Sequence, residues 1–496
     1  MRTKSIGSRP RRVAGLGMLA VAAALLTTGA AQANVPLTLV SSDPFTNASS
    51  QHQTEVEPDT FANGSTVVAA FQVGRFFNGG GSDIGFARSI DGGATWDTHG
   101  FLGLTFNSGA TTSPYERVSD PSVAYDAKHG TWLISSIPLL PNTSVPTVLI
   151  SRSTDGATWS DPPVALPDPV SNSIDLDKNW TSCDNTATSP FYGHCYTELD
   201  NFGDGDRELM STSTDGGATW SVPIQTAGHD KGLGGQPVVQ PNGTVIVPFE
   251  SLNGQIQSFV SNDGGASWSR GGKIDGIRFH GVAGNLRTSP LPTAEVAGDG
   301  TVYVAWEDCR FRKGCPANDI VFSTSSDGVS WSDPARVPID DVTSGVDHFI
   351  PGLAVDPATS GASTHLALTY YFYPDANCGG ACRLEVGYIS SPDGGAHWGD
   401  PTQLAGPMAL SEIALTSQGP MVGDYISTSF SGGLATTVVA VGQTPTSSAF
   451  DEAMYSPGRL SVATTLQATH ASSSLGVAGP ITGVGTGDTH LALKHD

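Results

Sequence analysis

The alternation of apolar and polar positions along the chain predicts short β-strands joined by turns. Apolar residues alternate with polar ones over 121–126, stop at a turn, and resume over 131–135. The same arrangement occurs over 293–296 and 301–306, with Asp299-Gly300 between the two runs. A period of two broken by turn residues is typical of antiparallel hairpins. We therefore predict an all-β chain.

Six copies of one motif punctuate these strands. Each reads Ser-x-Asp-Gly and ends in a tryptophan a few residues later, and we call it the Asp box; the aspartates are Asp91, Asp155, Asp215, Asp263, Asp327 and Asp393. An aspartate beside glycine can accept backbone hydrogen bonds in a tight turn, and the tryptophan can pack beside that turn. We therefore expect structural roles for these aspartates, not catalysis or metal binding.

The spacing of the boxes indicates the architecture. Successive aspartates are 48 to 66 residues apart, which is enough for one four-stranded sheet with loops. Equivalent units begin near residues 57, 120, 177, 236, 291, 350 and 412, and the last of them, 413–441, has strands but no box. A strand at 37–40 could complete that last sheet. The sequence predicts a β-propeller with six Asp-box repeats and six or seven blades.

The N-terminal residues predict a signal for export, and the C-terminal residues predict a tail. Residues 1–33 combine five cations, an apolar run over 13–26 and Ala31-Gln32-Ala33, the pattern of a signal peptide with its cleavage site. The propeller would then occupy 34–445. Residues 446–496 are rich in Ser, Thr and Gly and predict a loosely packed tail with room for one docked strand near 459–466.

Charge and cysteine content restrict the partners. The net charge of −23 becomes −28 once the five cations of the signal are lost, and such a field disfavours nucleic acid and anionic lipid. No later apolar run is long enough to span a membrane, so we expect a secreted, extracellular monomer.

The cysteines form three close pairs, which among 15 pairings favours three local disulfides: Cys183 with Cys195, Cys309 with Cys315, and Cys378 with Cys382.

The Asp-box series, and the segment 82–93 in particular, resembles bacterial sialidases and the wider superfamily of BNR-repeat propellers. The resemblance covers most of 50–445 and implies a carbohydrate site, for which sialidases use three arginines, a tyrosine nucleophile paired with glutamate, and an aspartate acid. The arginine of the first unit is missing, because Val56-Glu57-Pro58 stands where sialidases have Arg-Ile-Pro. Arg75 at the end of the next strand is the possible substitute.

Charged residues at the starts of first strands and the ends of second strands should converge at the mouth of a propeller. We take Tyr425 as candidate nucleophile, Glu250 as its base and Asp120 as acid or base. The candidates for substrate binding are Arg117, Arg287, Arg310, Asp347 and His348. Each has a structural alternative: Tyr425 bonded to a neighbouring loop, Arg310 paired with Glu307 or Asp308, and the histidine a spectator.

The function classes stay open at this level. A sialidase-like glycoside hydrolase acting on extracellular glycans leads, and the alternatives are a non-catalytic glycan- or protein-binding propeller and a polysaccharide lyase. A zinc site would need tighter cysteine clusters. We expect no cofactor and no metal, with structural calcium possible but not indicated.

Overall fold

A computed structural model describes residues 35–464. The predicted signal 1–33, its neighbour Asn34 and tail residues 465–496 lie outside the described residues. The described chain is all-β apart from six short 3₁₀ turns: Phe106–Ser108, Phe202–Asp204, Ala283–Asn285, Gly361–Ser363, Gly379–Ala381 and Leu410–Glu412. None of the helices in this part is long and apolar enough to cross a membrane.

Six units of antiparallel strands follow one another, which confirms the all-β prediction. In unit 1 these are β2 (Glu55–Asn63), β3 (Thr66–Arg75), β4 (Gly81–Ser89) and β5 (Thr98–Phe101). In unit 2 they are β6 (Arg117–Asp126), β7 (Thr131–Leu139), β8 (Leu149–Ser153) and β9 (Val164–Ala165). In unit 3 they are β10 (Leu176–Cys183), β11 (Cys195–Asn201), β12 (Arg207–Ser213) and β13 (Ile224–Gln225).

Unit 4 differs in having two short first strands in place of one. Its strands are β14 (Gly232–Leu233), β15 (Val238–Val239), β16 (Val245–Ser251), β17 (Gln255–Ser261) and β18 (Gly272–Gly276). Unit 5 has β19 (Thr293–Val296), β20 (Val302–Asp308), β21 (Asp319–Ser325) and β22 (Ala335–Arg336). Unit 6 has β23 (Asp347–Val355), β24 (Leu366–Tyr373), β25 (Arg383–Ser391) and β26 (Thr402–Ala409).

The last strands bring the two ends of the described chain together. Two hairpins, β27 (Ala414–Thr416) with β28 (Gly419–Met421) and β29 (Thr428–Ser431) with β30 (Leu434–Thr437), precede β31 (Val439–Gly442) and β32 (Glu452–Ser456). The strand β1 (Thr38–Leu39) pairs with β32, which pairs with β31. In the described part of the predicted tail, a strand therefore lies at Glu452–Ser456, upstream of the 459–466 stretch. Hydrogen bonds between the hydroxyl groups of Thr60 and of Ser427 and Ser429 also join unit 1 to the β29–β30 hairpin.

The Asp boxes all lie between the last two strands of the six units. In the third box Asp215 accepts hydrogen bonds from Thr219 N at 2.9 Å and Ser213 Oγ at 2.9 Å, and Gly217 N donates to Ser213 Oγ at 3.0 Å. These are the turn contacts predicted from the motif. Because the strands are antiparallel, the boxes lie at the edge opposite to the starts of the first strands, where the charged residues are.

The sheets pack face to face through apolar side chains. One face of unit 3 carries Leu199 and Leu209 into a cluster with Leu133 of unit 2, and the other carries Met210 against Val247 of unit 4. Three disulfides, Cys183–Cys195, Cys309–Cys315 and Cys378–Cys382, confirm the predicted local pairing.

Candidate functional site

A β-bulge near the start of the first strand recurs in four units. At it the backbone of Glu57, Asp120, Lys178 and Ile350 adopts positive φ, with values of 56°, 48°, 38° and 50°. Positive φ is unfavourable for residues with a Cβ, so the surrounding sheets must hold these turns. Three of the four positions carry an ionisable side chain, and these three side chains meet.

The meeting point is a buried group of charges that we call the central cluster: Glu57, Asp120, Lys178, Arg287 and Asp424. Lys178 Nζ lies 3.0 Å from Asp120 Oδ1, 2.7 Å from Asp424 Oδ2 and 3.9 Å from Glu57 Oε1. Arg287 donates two hydrogen bonds to the same Asp424, from Nε to Oδ1 at 2.8 Å and from NH2 to Oδ2 at 2.6 Å. Residues from five distant parts of the chain therefore form one network.

Two residues of unit 1 extend this network. Gln72 donates to Glu57 Oε2 and to Ser119 Oγ, the latter at 2.9 Å. Arg75 NH1 donates to Gln72 Oε1 at 2.8 Å, and its side chain is buried. Burial and the neighbouring Arg287 charge lower the pKa of Arg75 to about 10. The two guanidinium groups are thus close enough to repel each other.

The network gives its carboxyl groups different pKa values. Burial, reinforced by the negative charge of Asp120, raises the pKa of Glu57 to about 8. Burial acts in the same direction on Asp424, but the Arg287 and Lys178 charges hold its pKa well below its usual range. At neutral pH Glu57 therefore keeps its proton while Asp424 is ionised.

A cavity lies beside the central cluster. Lys178, Asp424 and Tyr425 line it together with Trp180 and Gly235. The Trp180 and Tyr425 rings meet edge to face with centroids 5.1 Å apart. Two aromatic rings next to buried charges make a surface on which an apolar sugar face can stack.

A strap, residues 277–290, contacts several units beside this site. Along it, Arg278 O accepts from Cys309 N at 2.7 Å, and Arg287 N donates to Pro420 O at 2.8 Å. Its Gly284 lies against the Cys378–Cys382 loop of unit 6. The strap thus joins units 5 and 6 to the β27–β28 hairpin, and it carries Arg287 into the central cluster.

The predicted nucleophile and base have different partners. Tyr425 donates its hydroxyl to Pro121 O at 3.0 Å, as in the structural alternative for this residue. Burial and the charges of Glu57 and Asp120 raise the pKa of Tyr425 well above its usual value. Glu250 accepts from Ser289 Oγ of the strap at 2.8 Å, and burial raises its pKa to about 7.

The remaining candidates lie outside the central cluster. Arg117 donates to Asn78 Oδ1 at 2.8 Å, and Arg310 donates to both oxygens of Asp308, at 3.0 and 2.7 Å. Asp347 accepts from Asn318 N at 2.7 Å. His348 is buried, and its desolvation lowers its pKa to about 4. Of the predicted site residues, the structure brings together Asp120, Arg287 and Tyr425.

Sequence reasoning missed the roles of Glu57 and Gln72. Glu57 was noted only as the residue in place of an arginine, although Glu57-Pro58, Asp120-Pro121 and Ile350-Pro351 share one local pattern. That pattern was the signal for the bulge and for the side chains it directs to the cluster.

Comparisons with known proteins indicate which proteins this chain resembles. The family model for a BNR repeat-like domain matches residues 195–353. No curated protein sequence matches the chain. Solved structures with a similar fold include an ulvan lyase of polysaccharide lyase family 25, at 10% identity and TM-score 0.49 over 86% of this chain and 97% of that one.

Two further solved structures have the same level of similarity. A protein of unknown function from Dyadobacter fermentans is 17% identical, with TM-score 0.46 over 72% of this chain and 99% of its own. The intramolecular trans-sialidase from Ruminococcus gnavus is 14% identical, with TM-score 0.42 over 84% and 96%. Similarity at this level does not assign a reaction. The BNR repeat-like model matches the part of the chain that holds three of the six Asp boxes, which confirms the predicted resemblance to BNR-repeat proteins over that part.

Proposed function

We propose that this protein is a secreted carbohydrate-active enzyme, a glycoside hydrolase that acts on extracellular glycans at the central cluster of a β-propeller. One observation carries the proposal: Glu57 and Asp424 share a site, yet Glu57 has a pKa of about 8 and the pKa of Asp424 is well below its usual range. Glycosidases generally need one protonated and one ionised carboxyl group flanking the bond they cleave.

The roles follow from these ionisation states. Glu57 gives its proton to the departing glycosidic oxygen, and the Asp424 carboxylate stabilises the positive charge that develops on the sugar. A water molecule then adds to the sugar carbon, and its proton returns to Glu57. Arg75, Arg287 and Lys178 supply positive charge, which suits the carboxylate of an acidic sugar such as a sialic acid or uronate. Trp180 and Tyr425 offer the rings on which the sugar stacks. Because Glu57 and Asp424 are buried, admission of a substrate requires a local opening of the site.

A specific observation favours a second function, glycan binding without turnover. Asp424 is buried and held by both Arg287 and Lys178. Because Asp424 is already paired with two cations, the site is suited to the structural support of a binding surface.

The experiment is a screen of sialosides, arabinans and uronate polymers for both binding and product formation. With an active glycan, Glu57→Gln should lose at least about a hundredfold in kcat, and kcat of the wild type should fall as pH rises above about 8. The matched control is Glu295→Gln, because burial raises the pKa of Glu295 to the same value of about 8 outside the cluster. It should retain activity.

The other outcomes identify the alternatives. Loss of activity in Tyr425→Phe and Glu250→Gln, with Glu57→Gln active, would replace this proposal by a tyrosine nucleophile. Unsaturated products would indicate a lyase. Binding without products for every glycan would establish the non-catalytic function, and no binding at all would favour a protein partner.

A further inference from the structure

The first part of the strap, 278–280, runs along a loop of unit 5, 309–315. A hydrogen bond from Cys309 N to Arg278 O at 2.7 Å joins the two segments, and His280 Nδ1 lies 3.1 Å from the carbonyl oxygen at the end of the loop. A disulfide between the first and last residues closes the loop. We call these two segments together the unit 5 platform.

The platform lies at the same edge of the sheets as the central cluster. Its loop connects β20, the second strand of unit 5, to the third strand β21. Because neighbouring strands are antiparallel, that loop is at the edge where the first strands begin. The strap that starts in the platform also carries Arg287 to Asp424. A ligand on the platform is therefore on the same side of the sheets as the proposed site.

A buried arginine holds the loop from inside. The side chain of Arg312 is 0% exposed and donates to Asp319 Oδ1 at 2.7 Å and to Asp340 Oδ1 at 2.9 Å. Its two neighbours in the loop, Phe311 and Lys313, are exposed. The disulfide and this anchor leave the loop little conformational freedom, so a ligand that binds its outer side has little of the loop to order.

Two phenylalanine rings of the platform face solvent. Phe279 of the strap is 37% exposed, and Phe311 of the loop is 41% exposed. Single exposed apolar residues are common on protein surfaces, but these two rings lie on adjoining segments that are fixed to each other. An aromatic ring offers a flat apolar surface for the apolar face of a sugar. The pair therefore suits a chain of sugars.

Two cations without a carboxylate partner accompany these rings. Arg278 and Lys313 are exposed, and in the described part of the chain neither side chain pairs with an acid. The remaining exposed arginine of the platform differs, because Arg310 pairs with both Asp275 and Asp308. Arg278 and Lys313 are thus available to an anionic ligand.

The local charge is opposite to that of the whole protein. The segments 273–280 and 308–315 contain five lysines and arginines and two aspartates, whereas the chain has 24 such bases and 47 acids. Exposed charges more than about 10 Å apart are largely screened at 0.1 M salt. At the platform the nearby cations therefore outweigh the repulsion from the net negative charge.

We propose that the unit 5 platform binds a polyuronate, a polysaccharide with one carboxylate on each sugar. Phe279 and Phe311 pack against the sugar faces, while the Arg278 guanidinium and the Lys313 ammonium group bind carboxylates. Two free cations beside two rings match one charge per sugar, and a densely sulfated chain would leave most of its charges unpaired here. The inference goes beyond the proposed function, because binding at the platform requires no turnover.

The test is calorimetric titration of the full secreted chain with polygalacturonate at about 0.1 M NaCl. Methyl-esterified polygalacturonate keeps the sugar chain without its charge and should bind more weakly. Three variants should each weaken binding of polygalacturonate at least about fivefold: Phe279→Ala, Phe311→Ala and the double variant Arg278→Gln/Lys313→Gln. Because all four side chains are exposed, Tm should stay unchanged.

Matched controls alter similar residues elsewhere. Phe106 is 43% exposed and lies between units 1 and 2, and Lys128 is exposed in the turn between β6 and β7, at the opposite edge of unit 2. Phe106→Ala and Lys128→Gln should bind polygalacturonate as the wild type does. Glu57→Gln should also keep this binding, so loss of turnover and loss of binding at the platform are measured separately.

Three results would overturn the proposal. One is wild-type protein that does not bind polygalacturonate, or that binds its methyl ester equally well. Another is binding that both phenylalanine variants leave unchanged, which would indicate general attraction of anions. The third is tighter binding of dextran sulfate or single-stranded DNA than of polygalacturonate, which would assign the platform to a different polyanion.

Discussion

The ion pair between Arg287 and Asp424 should be among the larger contributors to stability in the strap. Both side chains are buried, 8% and 2% exposed, and two hydrogen bonds of 2.8 and 2.6 Å join them. Removing one partner of a buried pair typically costs about 3–5 kcal/mol. Lys178 still holds the carboxylate in Arg287→Met, so we expect the lower end, about 3 kcal/mol.

The assay is a double-mutant cycle of Arg287→Met and Asp424→Asn, followed by urea unfolding at pH 7. Because each single change leaves a charge with an incomplete partner, the double variant should be more stable than the sum of the two losses implies. We expect a coupling free energy of about 2 kcal/mol. Arg117→Met is the matched control, since Arg117 is 7% exposed but its carboxylate partner, Glu116, is partly exposed to solvent.

A coupling below about 0.5 kcal/mol would refute this reasoning, because distant independent sites add within that margin. So would a loss in Arg117→Met as large as that in Arg287→Met, since the cost would then reflect the packing of a long side chain and not the ion pair.

Other predictions follow from the same structure. Asp215→Ala should lower stability by about 1–2 kcal/mol through lost turn hydrogen bonds and leave glycan turnover unchanged, as urea unfolding and activity assays would show. Gly419→Ala should loosen the strap, since its Cβ would collide with Asn285 O at a positive φ, and limited proteolysis should then cut within 278–290. Burial raises the pKa of both Glu55 and Glu295 to about 8. Because the folded state favours their protonated forms, their contribution to stability is full below about pH 4.5 and is lost as pH rises through 8. Thermal melts across that range should show this loss as a falling Tm. Titration of the native secreted protein should find no free thiol among its six cysteines.

Much of the fold could be predicted because it is encoded locally. The Asp box combines turn chemistry and a packing tryptophan in fewer than ten residues, so each copy reports its own hairpin, and close cysteine pairs report their own disulfides. The number of blades and the closure of the ring depend on contacts between distant units, and they stay predictions.

Only part of the central cluster could be predicted, because its residues come from distant parts of the chain. Asp120 and Arg287 could be singled out as charges near strand ends, but the sequence does not show that Arg287 reaches Asp424 from a strap that contacts several units. The acidic residues Glu198, Asp200 and Glu208 of unit 3 form no motif in the sequence, because they lie on neighbouring strands and share a face only through the sheet register. Glu198 and Asp200 read as ordinary alternating polar residues until unit 4 covers them.

The recurring bulge gives the protein a way to change its chemistry with little structural cost. Four units contribute one residue each at the same backbone position, and that residue is Glu57 in unit 1, Asp120 in unit 2, Lys178 in unit 3 and the apolar Ile350 in unit 6. Since the turn tolerates acidic, basic and aliphatic side chains alike, a single codon change per repeat can rewrite the charge of the shared centre while the surrounding sheets keep their contacts. A repeat protein of this design can therefore explore new ligands by exchanging individual residues, without inserting loops or altering its scaffold.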